Sequence, residues 1–165
     1  MVEVKVVGID PGTASCGFGV IEGGSNRLRL VEHGVWRTSP RTRPEQRLRT
    51  IFESLSELIE THQPDAVVLE ESYVGADPRV ALAVGQARGV LLVACALADV
   101  ECAEYAPARV KQAVCGYGRA DKAQVQRMVK AILALPALPA PDHAADALAV
   151  AICHALAPPL LRLSR

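Results

Sequence analysis

Apolar residues in the first 40 positions form three short runs, each with the length of a β-strand. Val4–Asp10 is almost continuously apolar and stops at Pro11-Gly12. Cys16–Ile21 and Leu28–Trp36 follow, and the turn sequence Gly23-Gly24-Ser25-Asn26 separates them. Short links of this kind join antiparallel neighbours. The pattern therefore predicts a three-stranded antiparallel meander.

The hydrophobic period becomes helical after the meander. From Pro44 onward apolar residues recur every three or four positions, which predicts an amphipathic helix. The short apolar run Ala66–Glu70 predicts a fourth strand. Arg79–Ala98 predicts a helix that is apolar on nearly every side, and Asp77-Pro78 is a typical helix start. We expect this helix to be covered on more than one side, by the sheet and by a second subunit.

The predicted strands and helices continue from Glu101 to Leu156. Glu101–Tyr105 predicts a fifth strand, and helices are expected at Pro107–Val114, Lys122–Leu133 and Asp142–Leu156. The proline-rich stretch 135–141 is expected to be a rigid link. This order predicts an α/β fold in which a five-stranded mixed sheet is flanked by helices.

Length and composition narrow the class of protein. The 165 residues fit one domain, so we expect a single domain over 1–165 with 155–165 as a loosely ordered tail. Five cysteines without a CxxC pair argue against a disulfide framework and a thiolate zinc site. The chain opens with a short strand rather than a signal peptide, and apolar runs are interrupted before about 18 residues. We therefore expect a soluble, cytoplasmic protein with no membrane partner.

Basic residues dominate one part of the chain, although the formal net charge is zero. Between 105 and 141 a single acidic residue, Asp121, stands against six basic ones: Arg109, Lys111, Arg119, Lys122, Arg127 and Lys130. A surface of that density suits a phosphate backbone. A solvated helix face would give the same pattern.

Four polar residues stand where distant segments can converge. Asp10 ends the first predicted strand and Glu70 ends the fourth, while His143 and Asp146 share one face of the last helix at i, i+3. Gly12, in the turn after Asp10, lets a phosphate backbone approach. Two Mg²⁺ ions about 4 Å apart can hold the attacking water and the leaving oxygen of a phosphodiester. The four residues therefore predict a catalytic metal site for phosphodiester hydrolysis.

Longer segments carry a resemblance to a known family. GIDPGTASCGFGVI, ALAVGQARGVLLVA, EYAPARVKQAVCGYGRADKAQVQRMV and HAADALAVAICHA occur in the order and spacing of RuvC-type Holliday-junction resolvases. GIDPGT alone is a weak signal, because sugar kinases and chaperone ATPases begin a phosphate loop similarly. Together the segments are specific. The chain resembles this family along nearly its whole length, which implies a ribonuclease H-like fold.

The resemblance implies an activity and its partners. It implies a structure-selective DNA endonuclease that resolves four-way junctions in homologous recombination and DNA repair. The implied cofactor is Mg²⁺, two ions per site, with Mn²⁺ also supporting activity. The resemblance further implies a homodimer in which each subunit nicks one of two opposed strands, and cooperation with the RuvA–RuvB branch-migration complex.

One candidate ligand departs from the family pattern. Much of the family has aspartate at the position of His143, where this chain has an imidazole. A neutral imidazole nitrogen is a competent metal ligand. Asp142, at i, i+4 to Asp146, remains the alternative fourth ligand.

The resemblance also implies DNA contacts. Tyr73, three residues after Glu70, takes the place of an aromatic residue that wedges into the junction centre. Lys111 and Lys122 match lysines that contact DNA near the scissile phosphate, and Arg119 belongs to the same basic stretch.

Other functions are open at this stage. Another ribonuclease H-like nuclease, acting on RNA or on an rRNA precursor, would use the same carboxylates. A nucleotide-dependent ATPase of the actin–chaperone type would share GIDPGT, but it needs a second phosphate loop and about twice this length. A catalytically inactive DNA-binding module is disfavoured, because all four ligand positions hold competent groups.

Overall fold

The protein is described here by a computed structural model, which covers residues 3–24, 26–71, 75 and 77–158. The covered residues form five strands and five helices. These are β1 (Val4–Asp10), β2 (Ser15–Gly24), β3 (Arg27–Arg37), α1 (Pro44–His62), β4 (Ala66–Glu70), α2 (Pro78–Leu97), β5 (Glu101–Tyr105), α3 (Pro107–Cys115), α4 (Lys122–Ile132) and α5 (Asp142–Leu156).

The strands form one mixed sheet in the order β3-β2-β1-β4-β5. β1, β2 and β3 are the predicted antiparallel meander, and β4 and β5 add to it in parallel. The five-stranded mixed sheet is thus confirmed. β2 and β3 are longer than their apolar runs, because the ladder continues from Ser15 opposite Arg37 to Gly24 opposite Arg27. Backbone hydrogen bonds do not depend on side-chain polarity.

Helices cover both faces of the sheet. One layer joins β1 and β4 to α1 and α2 through residues such as Val7, Leu55 and Leu91. The other layer joins the sheet to α3, α4 and α5 through residues such as Val6 and Ile152. Because neighbouring residues of a strand face opposite sides, β1 contributes to both layers.

Helix α5 lies directly on the sheet. An ideal Cβ built at Gly8 would be 2.0 Å from the carbonyl oxygen of Ala147, and one at Gly17 would be 2.0 Å from that of His143. Only glycine leaves room for the helix backbone at this distance. The alanines of α5 complete the fit, since nearly the whole helix is buried. The sheet thus fixes the position of the α5 backbone, and with it the points from which its side chains project.

Helix α2 is covered on one side only in the described part of the chain. Val80, Leu82, Val93 and Leu97 are between 51% and 74% exposed. By length and composition alone this helix could also cross a membrane, which is weak evidence, and 22% of that stretch is buried. Arg88 of α2 forms two hydrogen bonds with Glu104 of β5 at 2.5 and 3.1 Å. This ion pair holds the helix against the sheet.

The predicted tail begins later than expected. Helix α5 continues to Leu156, and Ala155 and Ala157 are buried. Residues 155–157 therefore belong to the packed part of the protein, because their small apolar side chains fit against its core. Residues 159–165 lie outside the described residues, and so does Tyr73, the predicted wedge residue.

Candidate active site

Asp10 and Glu70 leave the sheet at the same edge and on the same face. Their strands are parallel neighbours, so the carboxyl ends of β1 and β4 meet. Alternate side chains of a strand share a face. Asp10 therefore lies on the side of Gly8, which contacts α5, and Glu70 lies on the side of Val68, which packs in the same layer. Both carboxylates face α5.

Asp146 of α5 completes a group of three carboxylates. One carboxylate oxygen each from Asp10, Glu70 and Asp146 lies within 4.8 Å of the other two. All three residues are partly buried. The predicted convergence of these three residues is therefore present in the structure.

Burial and mutual repulsion make these carboxylates hard to ionise. Burial, followed by the neighbouring charges of Asp10 and Asp146, raises the pKa of Glu70 to about 8. Burial also raises the pKa of Asp10, although His143 acts in the opposite direction. The pKa of Asp146 is raised by burial and by Asp10. Three like charges this close need a cation if all are to be ionised.

The donor set fits a hard divalent cation. Mg²⁺ and Mn²⁺ prefer carboxylate oxygens, and a partly buried site with several carboxylates supplies them without thiolates. The five cysteines of the chain are not part of this group. Binding of a divalent ion would counter the repulsion that, after burial, raises the pKa values of Glu70 and Asp146, and it would favour the ionised form of all three carboxylates.

His143 contacts one member of the group but is not part of the three-carboxylate cluster. Its Nδ1 lies 2.9 Å from Oδ2 of Asp10. The imidazole is 50% exposed, whereas the Asp10 side chain is 17% exposed. His143 thus stands at the solvent side of the site, where it can orient Asp10 or turn a ring nitrogen toward a metal ion.

Asp142, the alternative ligand, is engaged elsewhere. Its carboxylate lies 3.2 Å from Nζ of Lys122 and accepts a hydrogen bond of 3.0 Å from Gln126. These partners lower the pKa of Asp142. Because its side chain is 65% exposed and paired outward, Asp142 is the weaker candidate.

Two predicted DNA-contacting lysines border the carboxylates. A pocket of 210 Å³ opens between the sheet edge and the helices, and Glu70, Lys111, Lys122 and Asp146 line it. Nζ of Lys122 also lies 3.8 Å from Asp146. A larger pocket of 520 Å³ lies between the carboxyl ends of α1 and α2, at the other end of the sheet. We assign the chemistry to the smaller pocket, because Glu70 and Asp146 of the three-carboxylate group line it.

Arg119, the third predicted DNA-contacting residue of the basic stretch, does not border the carboxylates as Lys111 and Lys122 do. It is exposed between α3 and α4, and it does not line the pocket that holds Lys111 and Lys122. Its role in DNA binding stays a prediction.

A pair formed by the half-buried Tyr105 and the buried His154 lies behind the site and was not predicted from the sequence. The Tyr105 hydroxyl lies 2.8 Å from Nδ1 of His154, and the two rings are in edge contact. Tyr105 stands opposite Glu70 in the β4–β5 ladder, and its carbonyl accepts from the Glu71 amide at 2.9 Å. The pair thus ties the end of β5 to α5. Its signal in the sequence is the i, i+8 spacing of Asp146 and His154, which places both on one side of the helix.

The pKa of Glu70 gives a testable dependence of stability on pH. At pH values between 4.5, the usual pKa of a glutamate, and about 8, the raised pKa of Glu70, the unfolded chain has released a proton that the folded chain keeps. The free energy of unfolding of the metal-free protein should therefore fall as the pH rises through this interval. Added Mg²⁺ should restore more stability at the upper end, where fewer protons have to be displaced from Glu70.

Urea unfolding with EDTA and with Mg²⁺ at both ends of the interval measures this effect. Glu70→Gln should flatten the pH dependence of the metal-free protein and reduce its response to Mg²⁺. The assignment is wrong if native protein and variant show the same pH dependence.

Comparison with known proteins places the chain in a family. The profile of the family described as crossover junction endodeoxyribonuclease RuvC matches residues 6–154. Crossover junction endodeoxyribonuclease RuvC of Pelotomaculum thermopropionicum is 53% identical over 150 residues, which cover 91% of this chain and 92% of the relative. The protein of the same name from Roseiflexus is 49% identical over 162 residues, with 98% and 96% covered.

Solved structures agree with this assignment. Thermus thermophilus RuvC superposes with a TM-score of 0.86 at 40% identity, covering 92% of this chain and 93% of that one. RuvC of the same organism in complex with a Holliday junction substrate superposes with a TM-score of 0.91 at 38% sequence identity. The match covers 97% of this chain and 96% of that one. A yeast mitochondrial Holliday junction resolvase shares the fold, with a TM-score of 0.64 at 14% identity, covering 90% of this chain and 76% of the other. The predicted ribonuclease H-like fold is confirmed, and the chain belongs to the RuvC family of crossover junction endodeoxyribonucleases.

Proposed function

We propose that this enzyme resolves four-way DNA junctions by metal-dependent phosphodiester hydrolysis, in homologous recombination and DNA repair. The observation that carries the proposal is the group formed by Asp10, Glu70 and Asp146 at one sheet edge in a chain of this family. A similar RuvC is known in complex with a Holliday junction substrate. Residues 1–165 would act as a single nuclease domain in the cytoplasm, where the DNA is.

Asp10, Glu70 and Asp146 would hold Mg²⁺, or Mn²⁺ in its place, and we propose two ions per site. When bound, the ions would lower the pKa of the attacking water and neutralise charge on the phosphate. The protein's own groups orient the substrate. Lys111 and Lys122 place positive charge beside the carboxylates, where it attracts the phosphate and stabilises the charge that develops on its oxygens.

We propose His143, rather than Asp142, as the fourth residue of the site. His143 lies 2.9 Å from Asp10, whereas Asp142 is paired with Lys122. His143→Ala should therefore lower cleavage by roughly tenfold or more, as loss of a group that holds a metal ligand does. Asp142→Ala should have little effect.

His143→Asp is the informative companion variant. A carboxylate suits Mg²⁺ and Mn²⁺ alike, and its charge tightens Mg²⁺. Cleavage should persist, with more activity in Mg²⁺ relative to Mn²⁺. Equal cleavage by His143→Ala and native enzyme with both metals would make the histidine a bystander.

Digestion of matched substrates tests the proposed function. A synthetic four-way junction, a linear duplex and an RNA–DNA hybrid of the same sequence should be offered to the enzyme with Mg²⁺. We expect paired nicks in opposed strands of the junction and little cutting of the other two. Preferential cutting of the hybrid would favour the alternative nuclease acting on RNA.

We further propose a homodimer formed through α2. Its exposed apolar residues need a cover, and Gly85 and Gly89 have open space around them, so a second helix can approach closely. A two-fold dimer would supply the second active site that paired nicking needs. Family membership supports the RuvA–RuvB complex as a further partner.

The dimer proposal predicts the effect of charges on α2. The single variants Leu82→Glu and Val93→Glu should each be monomeric, because each would bury a charge against the partner helix. Sedimentation at micromolar concentration measures the change from dimer to monomer. Val31→Glu, a similar change on β3, is the control and should leave the dimer intact. A native protein that is monomeric but still nicks in pairs would contradict the proposal.

A further inference from the structure

A second basic surface lies on the other side of the carboxylates from Lys111 and Lys122. It consists of five arginines at the end of β3 and the start of α1, and we refer to it as the arginine surface: Arg37, Arg41, Arg43, Arg47 and Arg49. All except the half-buried Arg47 are exposed. The sequence alone does not reveal this surface, because the five arginines come together only where β3 ends beside the turn after Asp10.

Three of these charges have no carboxylate partner in the part of the chain that the structure describes. Arg43 pairs with Glu45, and Arg49 pairs with Glu53 at 2.7 Å. The other three are Arg37, Arg41 and Arg47. Arg37 donates to the hydroxyl of Ser15 at 3.2 Å, and Arg47 to that of Thr38 at 2.8 Å. These hydroxyl partners hold the guanidinium groups of Arg37 and Arg47 in place without neutralising their charge.

Hydrogen bonds hold this surface against the turn that follows Asp10. The Thr38 amide donates to the carbonyl of Ala14 at 3.1 Å, and its hydroxyl donates to that of Thr13. Arg37 itself stands opposite Ser15 in the β2–β3 ladder. The loop between β3 and α1, which carries Arg41 and Arg43, is therefore fixed relative to the site.

Sheet topology places this surface at the same edge as the carboxylates. β3 runs parallel to β1, two positions away in the sheet, so Arg37 and Asp10 both lie at a carboxyl end. At a strand spacing of about 4.8 Å they are roughly 10 Å apart across the sheet. Along the edge, positive charge on the β3 side and on the β5 side flanks the negative centre.

We propose that the arginine surface binds the backbone phosphates of the duplex arm on the β3 side of the cut, while Lys111 and Lys122 contact the other side. The separation of roughly 10 Å corresponds to about three base pairs at 3.4 Å each. Guanidinium groups bind phosphate oxygens in pairs, which suits them to fixing the orientation of an arm. The contacts carry no base information, so they position the junction independently of sequence. This inference rests on the proposed junction-resolving function.

Removal of the unpaired charges tests the inference. We compare the native chain with Arg37→Gln/Arg41→Gln by measuring junction affinity across a salt series without divalent metal. Each lost phosphate contact lowers the slope of log affinity against log salt by about 0.9, so a decrease between one and two is expected. The control is Arg27→Gln/Arg29→Gln, which removes two arginines from the opposite end of the same strand. The control should keep the native slope.

A shortened substrate locates the contact. When the arm on the β3 side is cut to two base pairs, the native protein and the variant should bind with the same salt slope, since the contacted phosphates are gone.

A variant with the native slope on the intact junction would overturn the inference, while native junction cutting would leave the proposed function standing. A reduced slope together with preferential cutting of an RNA–DNA hybrid would overturn the proposed function alone. Absence of any nucleic-acid binding would overturn both.

Discussion

Asp10→Asn is expected to reduce junction cleavage by more than about a hundredfold and to leave junction binding nearly unchanged. The amide has the shape of the carboxylate but lacks the charge that holds a divalent ion, and metal-based stabilisation is worth several kcal/mol. The basic groups on both sides of Asp10 are untouched, so the phosphate contacts remain. The same substitution should lower the pKa of Glu70, because Asp10 is one of the charges that raise it.

Single-turnover cleavage and a binding titration on the same junction measure the two effects separately. Asp99→Asn is a matched control, since it makes the same change at an exposed residue at the far end of α2, where the left-handed backbone also accepts asparagine. Cleavage by Asp10→Asn above about a hundredth of the native rate would mean that Asp10 does not hold the metal.

Gly17→Ala is expected to destabilise the fold and to inactivate the enzyme together. The new methyl group would meet the carbonyl oxygen of His143 at 2.0 Å, and a backbone atom cannot rotate away. The start of α5 would have to move off the sheet, which costs about 1–3 kcal/mol or more of unfolding free energy. The same movement carries His143 and Asp146 away from Asp10. A displacement of about 1 Å at a catalytic group can cost about a hundredfold in rate.

Gly34→Ala adds the same methyl group on the neighbouring strand and serves as the control. There it meets only the ring of Phe18 at 2.9 Å, and a side chain can adjust. Urea unfolding should show the larger loss for Gly17→Ala, and Mg²⁺ should stabilise that variant less than it stabilises the control. Equal losses in both variants would mean that α5 tolerates displacement.

The sequence was sufficient for the features that depend on periodicity. Apolar runs located the five strands, and the parallel placement of β1 and β4 explains why Asp10 and Glu70 could be paired in advance. The i, i+3 spacing likewise placed His143 and Asp146 on one helix face. Helix ends differ from prediction by a single residue, as with α4, which ends at Ile132 rather than Leu133.

Features that depend on register and side-chain rotamers could not be predicted. Nothing in the spacing shows that His143 bonds to Asp10 while Asp142 pairs with Lys122, because sequence spacing does not give the rotamers of neighbouring side chains. The arginine surface is visible only once β3 is known to end beside the turn after Asp10. That neighbourhood depends on the register of the β2–β3 ladder, in which Arg37 stands opposite Ser15, and no local pattern encodes that register.

The contribution of α5 has a consequence for biosynthesis. Asp10 and Glu70 emerge from the ribosome long before Asp146, and the sheet can begin to pair while the last helix is still missing. Such a nascent chain has only two of the three carboxylates, and its glycine-bearing face is uncovered. A product that terminates before Asp142 would thus be unable to cut DNA but prone to aggregate.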